Sequence, residues 1–260
     1  MKKSSLCGMG KLHEANDEPH MELLETTSET KRVAIGVILA ALYAVLAIVP
    51  LSAFIGAASI ISFAICIAPI IGIILGPLRG FVFGLIGGIL ATIVLMVTPF
   101  NLYLIIPTII LGPAVAGLFV GLSTRQITKV ANIPIPGPFI TAIYLLLIIS
   151  LFLVARLEAW LFMTPYMLAV IVALVLQYVG IEFDLDKEGS SKYLQILPFT
   201  FLGAMLDHSM MAMGSVFILG LEAGLFISIL PLMIVERTIA TIVGAVVAFA
   251  VLTVLRGEFD

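Results

Sequence analysis

Two ionisable side chains stand next to each other in an otherwise apolar stretch of this 260-residue chain. They are Asp207 and His208, and Glu222 follows in similar surroundings. A carboxylate at the centre of a membrane helix costs about 3 kcal/mol, so it is found mainly where it is paired or faces an aqueous cavity. We therefore predict that these three residues line a polar pocket. The alternative is that helix ends place them at the membrane interface.

Two polar residues in a predicted turn are further candidates for contact with a small molecule. Asn101 and Tyr103 follow Pro99 between two apolar runs. The charges of the loops place this turn outside the cell. We therefore expect both residues to meet a solute that arrives from that side.

Several other patterns are too weak to indicate a metal site. Three methionines follow His208, and thioethers with imidazole suit soft metals, but methionine is also a common apolar filler. In the N-terminal tail, Cys7, His13 and His20 do not have zinc-ligand spacing. We expect neither a metal nor a cofactor.

The motifs that would power transport or catalysis are missing from the sequence. There is no Gly-x-x-x-x-Gly-Lys-Ser/Thr phosphate loop and no His-Glu-x-x-His zinc motif. His208 is the only histidine outside the tail. We predict that the chain is not an enzyme, since a membrane-embedded enzyme would have to rely on Asp207, His208 and Glu222.

The composition indicates a membrane protein. Hydrophobic residues make up 62% of the chain and charged residues only 11%. A soluble domain is nearer half apolar and a quarter charged, because it needs a solvated surface. The net charge of −3 gives no electrostatic reason to expect nucleic-acid binding.

The apolar runs predict an all-α, polytopic fold with about eight transmembrane helices, within a range of six to nine. Each run is close to the roughly 20 residues that cross hydrocarbon, and none shows the alternation of a membrane β-barrel. The predicted spans are 33–50, 56–77, 80–98, 102–122, 138–157, 160–180, 195–213, 216–234 and 238–255. The prolines in 102–122 suggest a broken or re-entrant segment.

Charges in the loops predict the orientation in the cell membrane. Residues 1–31 form a polar tail that we expect to be disordered, and residues 32–260 form the membrane domain. Lys31 and Arg32 precede the first span and place the N-terminus in the cytoplasm. Arg256 falls inside only if there are eight crossings. Glu236 and Arg237 look like an interfacial anchor between the last two spans.

Small residues mark two predicted helix contacts. Gly36, Ala40 and Ala44 recur every four residues on the first span, which allows either packing within the chain or docking of a partner subunit. A denser set on the third span predicts tight helix packing. Its members are Gly80, Gly84, Gly87, Gly88 and Ala91.

Three stretches resemble the substrate-binding S component of energy-coupling factor (ECF) transporters. They are residues 37–47 on the first span, the Gly-Pro-x-x-Gly-x-x-x-Gly element within 75–84, and the Glu-Arg-Thr-Ile-Ala segment at 236–240. Two features depart from that family. Such subunits usually have six spans, so residues 138–180 look like an extra hairpin, and this chain opens Met1-Lys2, unlike the Met-His start of the nickel and cobalt members.

The resemblance implies a membrane subunit that binds a vitamin-like small solute, with a separate T component and ABC ATPases supplying the energy. It also implies that Gly36, Ala40 and Ala44 dock on the T component. A self-contained secondary transporter is the alternative, although it would need charged residues along a path through these apolar helices.

Overall fold

The structure, a computed structural model, describes residues 29–49, 62–96, 106–130, 133–180 and 190–257. It is 88% helical, which agrees with the predicted all-α class. Within the described part of the chain the α-helices are α1 (Glu29–Leu46), α2 (Ala68–Met96), α3 (Ile106–Ser123), α4 (Gly137–Ala155), α5 (Thr164–Val179), α6 (Ser190–Phe217) and α7 (Ala223–Gly257).

Short elements join some of these helices. The 3₁₀ segments Phe63–Cys66 and Leu157–Met163 lead into α2 and α5. A small antiparallel hairpin lies between α3 and α4 and pairs β1 (Thr128–Val130) with β2 (Ile133–Ile135). This hairpin is the one departure from the predicted all-α class in the part of the chain that the structure describes.

The chain is a multi-pass membrane protein. Among the described residues, five helices are long and apolar enough to cross a membrane, and a shorter apolar helix covers Pro107–Ser123. The large side chains on the outside of the bundle are also apolar, for example Ile38, Leu147 and Ile171. An apolar exterior this continuous is unfavourable in water, whereas lipid chains solvate it.

The predicted break between the spans 56–77 and 80–98 is present as a sharp turn inside α2 at Gly76. Within Ala68–Met96 the backbone leaves helical geometry at Gly76, with φ 74°. A Cβ on Gly80 would lie 3.2 Å from the Gly72 Cα atom, whereas residues eight apart in a continuous helix are about 12 Å apart, so the helix folds back at Gly76. Pro77 follows and offers no backbone N–H for the helix ladder, so the two residues together change the helix direction. This turn is the predicted break between the two spans, and Arg79 lies just beyond it.

The prediction of separate spans at 216–234 and 238–255 is wrong. Helix α6 runs to Phe217, and α7 then continues unbroken from Ala223 to Gly257. Glu236 and Arg237 lie in the interior of α7 and are buried, so they are not an interfacial anchor. The sequence suggested a loop because it does not show that Arg237 interacts with Asp207 and Tyr166, which lie on other helices.

Two further predictions concern α3 and the N-terminal tail. The segment predicted at 102–122 is a single helix from Ile106 that continues through Pro113. Residues 1–28 lie outside the described residues, and α1 begins at Glu29, inside the predicted tail.

Glycines bring α2 and α3 together at their backbones, as the crowding of small residues predicted. A Cβ on Gly72 or Gly80 would lie 2.6 Å from the carbonyl oxygen of Gly117. A Cβ on Gly88 would lie 2.5 Å from the carbonyl oxygen of Ile110. Without side chains the helices approach closely, and dispersion contacts between backbones replace the hydrophobic effect that lipid does not supply.

The substitution Gly80→Ala tests this contact. The added methyl group collides with backbone that cannot move aside, so we expect the free energy of unfolding to fall by about 1–3 kcal/mol. Thermal unfolding in detergent, followed by size-exclusion chromatography, measures the loss. Gly224→Ala is the matched control, because nothing lies within 4 Å of a Cβ there. Equal behaviour of the two variants would contradict the close backbone contact.

Candidate functional site

A group of polar side chains lies inside the bundle, where α6 and α7 pack together. Its members come from α1, α4, α5, α6 and α7 and are buried or half-buried. We refer to this group as the polar cluster: Tyr43, Tyr144, Tyr166, Asp207, His208, Ser209 and Arg237.

The pairing of α6 with α7 sets the depth of the polar cluster. Asp207 lies ten residues before the end of α6, about 15 Å of helical rise, and Arg237 lies 14 residues after the start of α7, about 21 Å. The Nη1 group of Arg237 donates to the Ala204 carbonyl at 3.4 Å. One turn further along α7, Thr200 Oγ1 lies 3.2 Å from the Thr241 carbonyl oxygen. The two helices therefore bring Asp207 and Arg237 to a similar level.

The Arg237 guanidinium is buried and only partly satisfied. The side chain is 2% exposed, and its Nε and Nη2 atoms have no hydrogen-bond partner. It interacts electrostatically with Asp207, Tyr166, Glu236 and Cys66. Buried polar groups are nearly always hydrogen-bonded, so two free donors on one charged side chain are unusual.

Asp207 approaches this guanidinium from α6 and rests against α3. A Cβ on Gly112 would lie 2.5 Å from Asp207 Oδ1, so glycine is the residue that leaves room for the carboxylate. The interaction between Asp207 and Arg237 is Coulombic, and the free Nε and Nη2 atoms show that the carboxylate does not occupy that edge of the guanidinium.

His208 is fixed by aromatic neighbours. Its Nδ1 atom shares a hydrogen bond of 2.7 Å with the Tyr166 hydroxyl, and the two rings are stacked at 5.9 Å between centroids. Phe162 lies 5.9 Å from the same imidazole ring. These contacts hold the ring in one orientation beside Asp207.

Ser209 extends the polar cluster towards α4. Its hydroxyl donates to the Leu206 carbonyl at 2.6 Å, and it is 2.9 Å from the Tyr144 hydroxyl. A serine hydroxyl has a single proton to donate, so Tyr144 is the donor to Ser209.

Asp207 and His208 are less completely covered than their apolar neighbours on α6. Asp207 and His208 remain 7% and 8% exposed, whereas Leu202, Met205 and Leu206 on the same helix are fully covered.

The predicted site residues have different outcomes. Asp207 and His208 do lie together in a polar environment inside the bundle. Glu222 does not join them: it is exposed in the connection between α6 and α7, beyond the end of α6. The trio that a membrane-embedded enzyme would have used is therefore not assembled. Asn101 and Tyr103 lie outside the described residues.

The predicted docking stripe on α1 is covered within the chain. A Cβ on Gly36 would lie 2.5 Å from the Phe83 ring of α2, and a Cβ on Gly87 would lie 3.5 Å from the Ala40 Cα atom. Ala40 and Ala44 are both buried. Of the two interpretations of this stripe, the structure supports packing inside the chain, and the stripe does not offer a free docking face.

The sequence did not reveal the role of Arg237, Tyr144 and Tyr166. The available signal was that Glu236 and Arg237 lie within one apolar run of 32 residues. A run of that length can form one continuous helix, so the charge pair could have been placed inside a helix instead of in a loop. The tyrosines carry no such signal, since their rings suit an apolar core as well as a site. Among the described residues, no group of three His, Cys, Asp or Glu side chains is placed to hold a metal ion.

The chain matches no protein-family model, no curated protein sequence and no solved structure.

The substitution Ala40→Leu tests the position of the stripe. The larger side chain must displace α2, so we expect a loss of about 1–3 kcal/mol in the free energy of unfolding. Ala41→Leu is the matched control, because Ala41 is the next residue along α1 and is exposed. Thermal unfolding of both variants in detergent measures the difference. A stable Ala40→Leu protein that loses only its association with other subunits would instead support the docking prediction.

A double-mutant cycle tests the coupling between Asp207 and Arg237. Each of Asp207→Asn and Arg237→Gln leaves a buried charge without its counter-charge, which costs about 3–5 kcal/mol in buried pairs. We expect the double variant to lose at least about 1 kcal/mol less than the sum of the single losses. Thermal or denaturant unfolding provides the four values, and additive losses would show that the two charges are independent.

Proposed function

We propose that this chain is the membrane-embedded, substrate-binding subunit of an ECF-type uptake transporter for a vitamin-like small solute. The observation that carries the proposal is the polar cluster inside an apolar bundle, with two free donors on the buried Arg237. Binding sites for small molecules combine mostly apolar walls with a few placed polar groups.

An incomplete polar network favours binding over a purely structural role. A polar network that only stabilises a fold is expected to satisfy its own donors and acceptors, because each unsatisfied buried group costs free energy. Here Tyr144, Ser209, Tyr166 and His208 have partners, whereas two nitrogen atoms of Arg237 do not. A solute that supplies acceptors would complete the network.

The proposed energy source is a separate T component with ABC ATPases. The support is the absence of a phosphate loop from the sequence, together with the resemblance to S components on the first span, at Gly76-Pro77 and at residues 236–240. Because α2 covers the small-residue stripe of α1, such partners would contact other surfaces. The loop charges support a cytoplasmic N-terminus in the cell membrane.

A proton-coupled secondary transporter is the second candidate. The observation that favours it is the hydrogen bond between His208 and Tyr166 next to a buried carboxylate on Asp207. Chains of ionisable groups of this kind occur in the proton relays of pumps and transporters.

Reconstitution distinguishes the two candidates. We expect the purified chain to retain a small molecule in a ratio of about one to one without ATP, which native mass spectrometry measures. In liposomes that contain only this chain, we expect no accumulation of that molecule against its gradient, with or without a proton gradient. Accumulation driven by protons would support the secondary transporter, and a chain that retains no solute would contradict both candidates.

A further inference from the structure

We propose that Arg237 binds the carboxylate group of the solute. This inference rests on the proposed function, since it assigns the chemistry of a ligand at the same polar cluster. It depends on the arrangement of the free donors on the guanidinium group.

The two free nitrogen atoms lie on one edge of the guanidinium. Nη1 is turned towards the Ala204 carbonyl, whereas Nε and Nη2 each direct an N–H away from the opposite edge and have no acceptor. That edge presents two parallel donors, which match the two oxygen atoms of a carboxylate. A single carbonyl or hydroxyl oxygen would satisfy one donor well and leave the other poorly paired.

The surrounding charges favour a carboxylate over a phosphate. Asp207 and Glu236 both interact electrostatically with Arg237, so the neighbourhood already holds negative charge. A second anion is repelled by these groups, and the repulsion grows with its charge. A carboxylate carries one negative charge, whereas a phosphate carries about 1.5 to 2 at neutral pH.

Aromatic side chains near the polar cluster indicate the rest of the ligand. The Tyr166 ring and the Phe162 ring lie against His208, and Phe226 packs against Phe162 at 5.1 Å between centroids. Aromatic surroundings of this kind favour a planar or apolar body. We therefore assign the ligand class as an organic acid whose apolar body extends from its carboxylate.

Matched pairs of acids and amides test the assignment. The probes are acetate with acetamide, benzoate with benzamide, and inorganic phosphate, each titrated against the purified full-length chain in detergent. Calorimetry measures affinity, and thermal unfolding measures protection. We expect at least one acid to bind at least about 30-fold more tightly than its amide, which lacks the charge that Arg237 complements, and we expect phosphate to bind more weakly than that acid.

Variants of Arg237 separate the charge from the two-donor edge. In Arg237→Gln we expect the preference for acid over amide to fall to about threefold or less. In Arg237→Lys, which keeps the charge but loses the parallel donors, we expect an intermediate preference. Arg156→Gln is the control, because Arg156 donates to the Leu221 carbonyl at 2.8 Å and to the Gly220 carbonyl at 3.3 Å, outside the polar cluster. If Arg237→Gln does not fold, the lysine variant decides alone.

The remaining outcomes show whether the carboxylate assignment or the proposed solute binding has failed. Amides or phosphate that bind as tightly as the acids, or an unchanged preference in the Arg237 variants, would overturn the carboxylate assignment and leave solute binding intact. If no probe binds, the molecule that co-purifies decides: a carboxylic acid supports the assignment, and a compound without an acid group overturns it. If no probe binds and no molecule co-purifies, solute binding itself fails.

Discussion

The cost of holding a charged guanidinium inside a lipid-spanning bundle governs the arrangement of the helices around Arg237. An isolated charge in a medium of low dielectric constant is strongly unfavourable, so the fold must bring opposite charge and hydrogen-bonding groups to it. Helix α6 supplies Asp207 and the Ala204 carbonyl, while α5 supplies Tyr166. The helices cannot shift past one another without separating these groups, so the charge also fixes how they pack.

The close contact between α2 and α3 makes this arrangement possible. Glycines on both helices allow their backbones to touch, which places α3 where Gly112 faces α6. A side chain at Gly112 would fill the place of the Asp207 carboxylate. The same small residues that give a helix pair its dispersion energy thus also shape the polar cluster, and packing and chemistry are not separate properties of this bundle.

The fold class and the individual helices α4 and α5 could be predicted from the sequence, because long apolar runs have few alternatives in a membrane. The position of Arg237 could not, since its burial depends on Asp207 and Tyr166, which are distant in sequence. The pocket prediction for Asp207 followed from the cost of one charge, but the same argument placed Glu222 in the wrong environment. A single sequence also does not show whether the face of α1 that carries Ala40 packs inside the chain or against a partner.

The length of α7 exceeds what the bilayer can cover. Its 35 residues extend about 52 Å at 1.5 Å per residue, whereas the hydrocarbon core is about 30 Å thick. Even a steep tilt of about 40° accommodates only about 39 Å, or about 26 residues. About nine residues of an uninterrupted helix must therefore extend into the headgroup layer or beyond it. The helix that carries Arg237 therefore also reaches the membrane–water boundary. Because α7 is longer than the hydrocarbon core, hydrophobic mismatch acts directly on the tilt of that helix.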